Sequence, residues 1–359
     1  MRYRLDQLAI IKYGKDQKKV ISETGSIPIY GTGGLVGYAT DSLYDKPSVL
    51  IGRKGTIEKV QYITQPFWTI DTLFYTIVNE KIVRPHFLYY LISQLDLKKY
   101  NEGTTIPSLR TETLNKIEFN IPSFRIQDKI LEIIEPIENK IILNNIINDN
   151  LEQQAQELFS NFYERATESV PFTSIIQILG GGTPKTSESS YWNGDIPFFT
   201  PKDVGCPYTF MTEKTITEDG LNHCNSRLYP VNTIFVTARG TVGKVGLSGV
   251  PMAMNQSCYA LVGKDIEQLL VYFYTLETVN SLKHKASGAV FDAITTKDFD
   301  YERVMCLSKN DSTVFLTIVS PIFKKILSNC LENKKLAELR DSLLPKLMSG
   351  EIDVSSVKI

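Results

Sequence analysis

Apolar side chains along this chain follow two different rhythms. Ser48-Val49-Leu50-Ile51 and Leu73-Phe74-Tyr75-Thr76-Ile77-Val78 are short β-branched and aromatic runs bounded by Gly, Pro and Asp, the punctuation of strands. From Phe124 to about Arg165 glycine disappears. Apolar residues then fall at Ile130, Ile133, Ile137, Ile141, Leu151, Ala155, Leu158 and Phe162, one helical stripe interrupted by Asn144 and Asn148. Strand-like runs return at Thr233-Ile234-Phe235-Val236 and Tyr259-Ala260-Leu261-Val262. From about Ser312 a second stripe reads Ile318, Ile322, Ile326, Leu336, Leu339, Leu343 and Leu347, with Gly350 as its stop. Pro136 predicts a break or a fresh first turn near the start of the first helix.

The alternation is a duplication. Arg53-Lys54-Gly55-Thr56 with Lys59-Val60 reappears 185 residues later as Ala238-Arg239-Gly240-Thr241 with Lys244-Val245, and Pro136 maps onto Pro321. Ile27-Pro28 matches Ile196-Pro197 at a shorter offset, as expected if one loop differs in length. A period this long marks a repeated domain-plus-helix module rather than a solenoid. The expected fold class is α+β, with two β-rich globules, at residues 1–123 and 167–309, and two long helices, at 124–166 and 310–359, forming a pseudo-two-fold internal repeat. Each helix runs for about 40 residues, up to roughly 60 Å at 1.5 Å per residue, too long to bury its stripe on one small globule. Pairing the two as an antiparallel coiled coil satisfies both stripes and spaces the globules. The simpler alternative has each helix packing only on its own globule.

Composition narrows the function. A net charge of −1 over 359 residues excludes a strongly basic coat protein and leaves local basic patches open. Cys206, Cys224, Cys258, Cys306 and Cys330 form no CxxC pair and read as free thiols. No apolar run approaches the ~20 residues of a membrane span, and Met1-Arg2-Tyr3-Arg4 leads into no apolar segment, so a soluble cytoplasmic protein without a membrane partner is expected. His86, His223 and His284 lack a nucleophile context, and His223-Cys224 lacks further zinc ligands at motif spacing. No Asn-Pro-Pro-Tyr or Asp-Pro-Pro-Tyr string occurs. Gly240-Thr241-Val242-Gly243-Lys244-Val245 lacks the glycine spacing and the Ser or Thr of a phosphate-binding loop. The missing motifs oppose a stand-alone methyltransferase or nuclease, and neither a catalytic nor a metal site is expected.

What remains is backbone able to approach another molecule closely, flanked by basic side chains that suit phosphate and base-edge contacts. The candidate DNA-contacting residues are Tyr30, Thr32, Gly33, Arg53, Lys54, Thr56 and Trp68 in the first half. In the second they are Thr183, Lys185, Lys202, Arg239, Thr241, Lys244, Asn255 and Gln256. Asn255-Gln256 aligns approximately with Asp71-Thr72, and its amides suit adenine or a strand-end hydrogen bond. Most of the aromatic side chains near these loops read as packing residues.

The strings Tyr30-Gly31-Thr32-Gly33-Gly34, Val49 to Thr56 and Phe67-Trp68-Thr69-Ile70-Asp71-Thr72 resemble one target-recognition domain of the DNA-specificity subunits of type I restriction-modification systems. Gly181-Gly182-Thr183-Pro184-Lys185, Tyr191 to Pro197, Thr200-Pro201-Lys202-Asp203-Val204 and Arg239-Gly240-Thr241 with Asn255-Gln256 resemble another. Leu343-Leu344-Pro345-Lys346-Leu347-Met348-Ser349-Gly350 is similar to the end of the family's distal helix. The resemblance implies that each domain reads one half of a split site in double-stranded DNA while the helices fix the gap. It also implies docking of two methyltransferase subunits, addition of restriction subunits in a full complex, and S-adenosylmethionine, ATP and Mg2+ only on those partners. The two domains differ, which implies an asymmetric site. A reading from another class is a coiled-coil scaffold whose globules bind protein or glycan; the matched basic Gly-Thr strings favour a polyanion instead.

Overall fold

The computed structural model describes residues 1–205, 207–285 and 293–355; Cys206 lies outside the described residues. It divides into two units, Met1–Lys140 with the chain from Lys335 onward, and Ile141–Lys334. In the first unit, an antiparallel sheet runs in the order Ala9–Tyr13, Leu73–Val78, Ser48–Gly52, Val60–Ile63. Ser48–Gly52 is buried throughout, as a continuous apolar run between two neighbours should be. A smaller sheet joins Gly34–Ala39, Ile27–Gly31 and Trp68–Thr69, and Arg2–Arg4 pairs with Glu118–Asn120.

The second unit repeats this order as Ile176–Gly180, Cys258–Gly263, Ile234–Thr237, Val245–Ser248 and adds Tyr208–Thr209 at the edge. Its small sheet joins Thr215–Ile216, Trp192–Phe199 and Ala253–Met254. The offset between equivalent strands is 167 at Ala9 and Ile176, 169 at Ile27 and Ile196, and 185 at Leu73 and Cys258. The step from 169 to 185 places 16 additional residues of the second copy between Phe199 and Ile234. That insertion carries the extra edge strand.

The two long helices are Phe124–Tyr163 and Lys309–Ser349, of 40 and 41 residues. Within each unit they pair antiparallel and also pack on the globule. In the first, Ile130, Leu131 and Ile134 share a core with Leu344 and Leu347 and with Phe87, Leu88 and Tyr90 of the globule. In the second, Phe159 stacks on Phe273 at 5.2 Å and meets Phe315 edge-on at 5.5 Å. Pairing and packing on the globule, set against each other above, therefore coexist. The seam also departs from the stripe read off the sequence. Ile326 and Leu347 turn inward as read, but Ile318 and Leu339 are 43% and 46% exposed, and Phe315, Val319 and Phe323 take inward places instead. The straight helix drifts against a strict seven-residue repeat, and the bulky aromatics fill the space next to the globule.

Pro136 lies inside the first helix and does not end it. The ring removes one backbone donor, but apolar burial at Ile134 on one side and the pairing beyond it hold the helix. Gly350, at φ +78°, ends the second helix as expected. By length and composition the helix Lys309–Ser349 contains a window apolar enough to cross a membrane, mean hydropathy 1.5, which corrects the expectation that no run comes close. Phe315, Val319 and Phe323 of this helix are covered by the aromatic core of the second unit.

Two polar clusters lie on the seams. In the second unit, Asn144 Nδ2 donates to Asn333 Oδ1 at 2.8 Å and Asn329 Nδ2 donates to Asn148 Oδ1 at 2.8 Å. Asn144, Asn148 and Asn329 are at most 2% exposed. Asn329 and Asn333 are Asn144 and Asn148 displaced by 185, so the two pairs are images of each other. In the first unit, His86 is sandwiched between Tyr62 and Tyr90, with ring centroids 4.4 and 4.6 Å away. Its Nδ1 is 2.7 Å from Glu135 Oε1 and its Nε2 3.5 Å from Glu138 Oε2. Tyr90 Oη donates to Glu138 Oε2 at 2.5 Å, and Arg340 approaches Glu138 at 3.8 Å.

Two outcomes follow for stability. Asn148→Ala leaves the Asn329 amide unpaired in a dry seam, and urea denaturation is expected to show a loss of about 1–3 kcal/mol; Asn148→Leu with Asn329→Leu is expected to restore or raise the midpoint. Burial raises the Glu138 carboxyl, but the hydrogen bonds from His86 and Tyr90 and the His86 and Arg340 charges outweigh it and hold the group below the ordinary carboxylate range. A lowered folded value stabilises above the unfolded one, and that contribution vanishes as pH falls through the folded value. Wild type should therefore exceed Glu138→Gln in urea midpoint near neutrality, with the difference shrinking through the acid range.

Candidate nucleic-acid interface

Each repeat carries one exposed turn hung on the main chain. In the first, the N–H groups of Arg53 and Lys54 donate to the Thr72 carbonyl at 2.8 and 3.2 Å, and Leu109 N–H donates to the Arg53 carbonyl at 2.9 Å. In the second, the N–H groups of Ala238 and Arg239 donate to the Ser257 carbonyl at 2.8 and 3.2 Å, and Ile294 N–H donates to the Ala238 carbonyl at 2.9 Å. Lys54 bridges Ser108, and Arg239 bridges Ala293. These partners are all displaced by 185 residues. Gly55 and Gly240 both sit at φ +82°, where a side chain is strained. Nothing lies within 4 Å of a Cβ added at Gly55, so the backbone angle rather than space selects glycine.

The geometry makes Lys54 the counterpart of Arg239, Thr56 of Thr241 and Lys59 of Lys244, all of them exposed. It also corrects an alignment by one residue. Ile70 N–H donates to the Tyr30 carbonyl at 3.1 Å as Asn255 N–H donates to the Phe199 carbonyl at 3.0 Å. Asn255 is thus the counterpart of Ile70, and Gln256 of Asp71. The Asn255 Oδ1 accepts from Ser257 N–H at 3.0 Å, the strand-end alternative rather than a free base-reading oxygen. Gln256 is exposed and its Oε1 accepts from the Thr183 hydroxyl, which orients the amide.

A second correspondence escaped the sequence. A Cβ at Gly14 would meet the Ile70 carbonyl oxygen at 2.0 Å, and one at Gly181 would meet the Asn255 carbonyl oxygen at 2.2 Å. Lys15 N–H donates to the Thr69 carbonyl at 2.9 Å as Gly182 N–H donates to the Met254 carbonyl at 3.0 Å. The counterpart of Gly181-Gly182-Thr183 is therefore Gly14-Lys15-Asp16, which brings Asp16 and Lys18 opposite Thr183 and Lys185. The only signal in the sequence was a lone glycine after Tyr13.

The other candidates distribute as follows. Thr32 and Gly33 form the tip of the hairpin closed by the Gly31 and Gly34 pair. Tyr30 is half-buried, and its hydroxyl accepts from Gln65 Nε2 at 3.3 Å. Trp68 donates its indole N–H to the Lys15 carbonyl at 2.9 Å and packs on Val20, Ile29 and Ala39, so its ring is engaged within the domain. In the second unit, Lys202, Arg239, Thr241 and Asn255 line a cavity of about 420 Å³ together with Thr200, Pro201, Glu213, Lys214, Gly240 and Ser257. The inserted segment supplies one wall. Asp203 folds it, accepting from Thr200 N–H and Glu213 N–H at 2.8 Å each. Lys214, missed in the sequence, stands 5.6 Å over the Trp192 ring. Among the described residues no group of three His, Cys, Asp or Glu is placed to hold a metal ion.

Comparison with known proteins agrees with this architecture. The family model described as "Type I restriction modification DNA specificity domain" matches residues 1–153 and 165–339. The chain is 26% identical over 374 residues to the type I restriction enzyme HindI specificity subunit of Haemophilus influenzae, covering 79% of this chain and 81% of that one. It is 29% identical over 167 residues to the MjaIX specificity subunit of Methanocaldococcus jannaschii, covering 45% of this chain and 38% of the relative. The crystal structure of the type I restriction-modification system S subunit from M. genitalium superimposes with a TM-score of 0.58 at 16% identity, covering 97% of this chain and 95% of that one, a likeness of fold. Two matched turns on two matched domains, and a family match over nearly the whole length, make the chain a member of the type I restriction-modification DNA-specificity family, as a specificity subunit.

Proposed function

We propose that each globule reads one half of a split site in double-stranded DNA, that the paired helices fix the gap, and that the chain itself catalyses nothing. The observation that carries this is the duplicated turn: two exposed cationic loops, each fixed by main-chain hydrogen bonds to the same structural partners, are suited to two places on one repetitive polyanion. A scaffold for protein or glycan has no need of two such turns in register. The near-neutral charge suits a subunit whose partners supply much of the phosphate contact. In this reading two methyltransferase subunits dock on the chain, restriction subunits complete the endonuclease, and S-adenosylmethionine, ATP and Mg2+ belong to those partners. The insertion walls the second turn and not the first, which supports unequal half-sites.

Single-base methylation mapping of cells expressing the chain with its methyltransferase partner, against cells lacking the chain, is the direct test. A split asymmetric motif that depends on the chain is expected; an active partner with an unchanged methylation pattern overturns the reading. In purified complexes, Arg239→Ala is expected to weaken binding of the split site about 10-fold, or ~1.4 kcal/mol, with assembly intact.

A further inference from the structure

The two turns share a backbone but not a chemistry, and the difference is largest at Arg53. Its counterpart is Ala238, a buried methyl group only 3% exposed. The Arg53 guanidinium lies 4.9 Å over the Tyr13 ring, and its Nη1 donates to the Asp71 carbonyl at 2.8 Å. It forms no ion pair among the described residues, so the remaining N–H donors of a planar fork are held in one orientation and unclaimed. Beside it stands Asp71, exposed, where the second domain has Gln256. The contact runs through the Asp71 carbonyl, and the Asp71 carboxylate forms no ion pair with Arg53; an exposed negative charge on this turn disfavours a phosphate. The carboxylate accepts, however, from the amino group of cytosine, while a fixed arginine fork matches the O6 and N7 of guanine.

Building on the proposed function, we propose that Arg53, with Asp71, reads a G·C base pair in the half-site of the first domain. At the equivalent position the second domain has Ala238, and its oriented Gln256 amide takes the place of Asp71. Lys54 and Arg239, exposed at equivalent positions, contact the backbone in both halves. Recognition of guanine from this position of the turn is thus confined to one half of the site.

The test is methylation mapping of cells expressing the full chain with its methyltransferase partner, as wild type, Arg53→Ala and Arg53→Lys. Lysine keeps the charge and the aliphatic stem but not the fork. The expected result is that one position of one half-site loses its guanine preference by about 10- to 100-fold in both variants, with the other half-site and the gap unchanged. Normal specificity in Arg53→Lys with uniformly weaker methylation in Arg53→Ala would make Arg53 a phosphate contact and overturn the proposal. So would unchanged specificity in both, or a lowered melting temperature with an intact motif, which describes a side chain that only ties down the Asp71 carbonyl. Should Arg53→Ala not fold, Arg53→Lys alone decides. A wild-type chain that directs no split motif would instead refute the function on which this rests.

Discussion

Two helices of 40 and 41 residues each carry an apolar seam that neither globule can cover alone. The main core of each unit answers to that constraint. In each unit the seam is covered jointly, by the partner helix on one side and by the aromatic and aliphatic core of a globule on the other. Gln127 shows how tightly the arrangement is tied down in the first unit. Fully buried, it accepts from Arg84 N–H at 2.8 Å and donates to the carbonyls of Ile82 and Pro122 at 3.1 and 3.0 Å. Where the seam of the second unit turns polar, asparagine amides pair with asparagine amides. Such pairs contribute less to stability than leucine but penalise any other alignment of the helices.

The duplicated turns are held by different means. Their shape is held by carbonyls and N–H groups and by one glycine angle, so it survives while side chains around it change from Arg53 to Ala238 and from Asp71 to Gln256. Length is accommodated in the same spirit. The 16 additional residues of the second domain leave the common sheet order intact and add an edge strand and a wall instead.

The duplication was legible because residue types beyond the insertion repeat at one spacing of 185, and the offset that aligns Lys54 with Arg239 also aligns their main-chain partners. Helix existence was legible from the loss of glycine and the stripe. The inward faces were less so: Phe315 and Phe323 take the inside because a globule needs filling there, a fact absent from the helix's own periodicity. Pro136 illustrates tertiary burial overriding a local signal. The match between Gly14 and Gly181 stayed hidden because its cause is steric: a carbonyl from a distant strand occupies the place of the Cβ, and the neighbouring residues share no identity. Residue type left Asn255 open to a base contact or a strand-end hydrogen bond, and only the structure shows its oxygen committed to its own loop.

Because the turn's geometry resides in its main chain, the fold sets few demands on the exposed side chains that project from it. A substitution at Lys54, Thr56, Arg239 or Thr241 meets open solvent rather than a packed neighbour, so it alters what the surface prefers without unsettling the molecule that bears it. Drift in such a protein separates into two independent channels. Changes in the core and the seams are limited by packing, whereas changes at the turns need only keep the glycine angle and the main-chain hydrogen bonds. If each domain reads its own half of a split site, as proposed, a duplicated chain of this kind can change its target one half at a time.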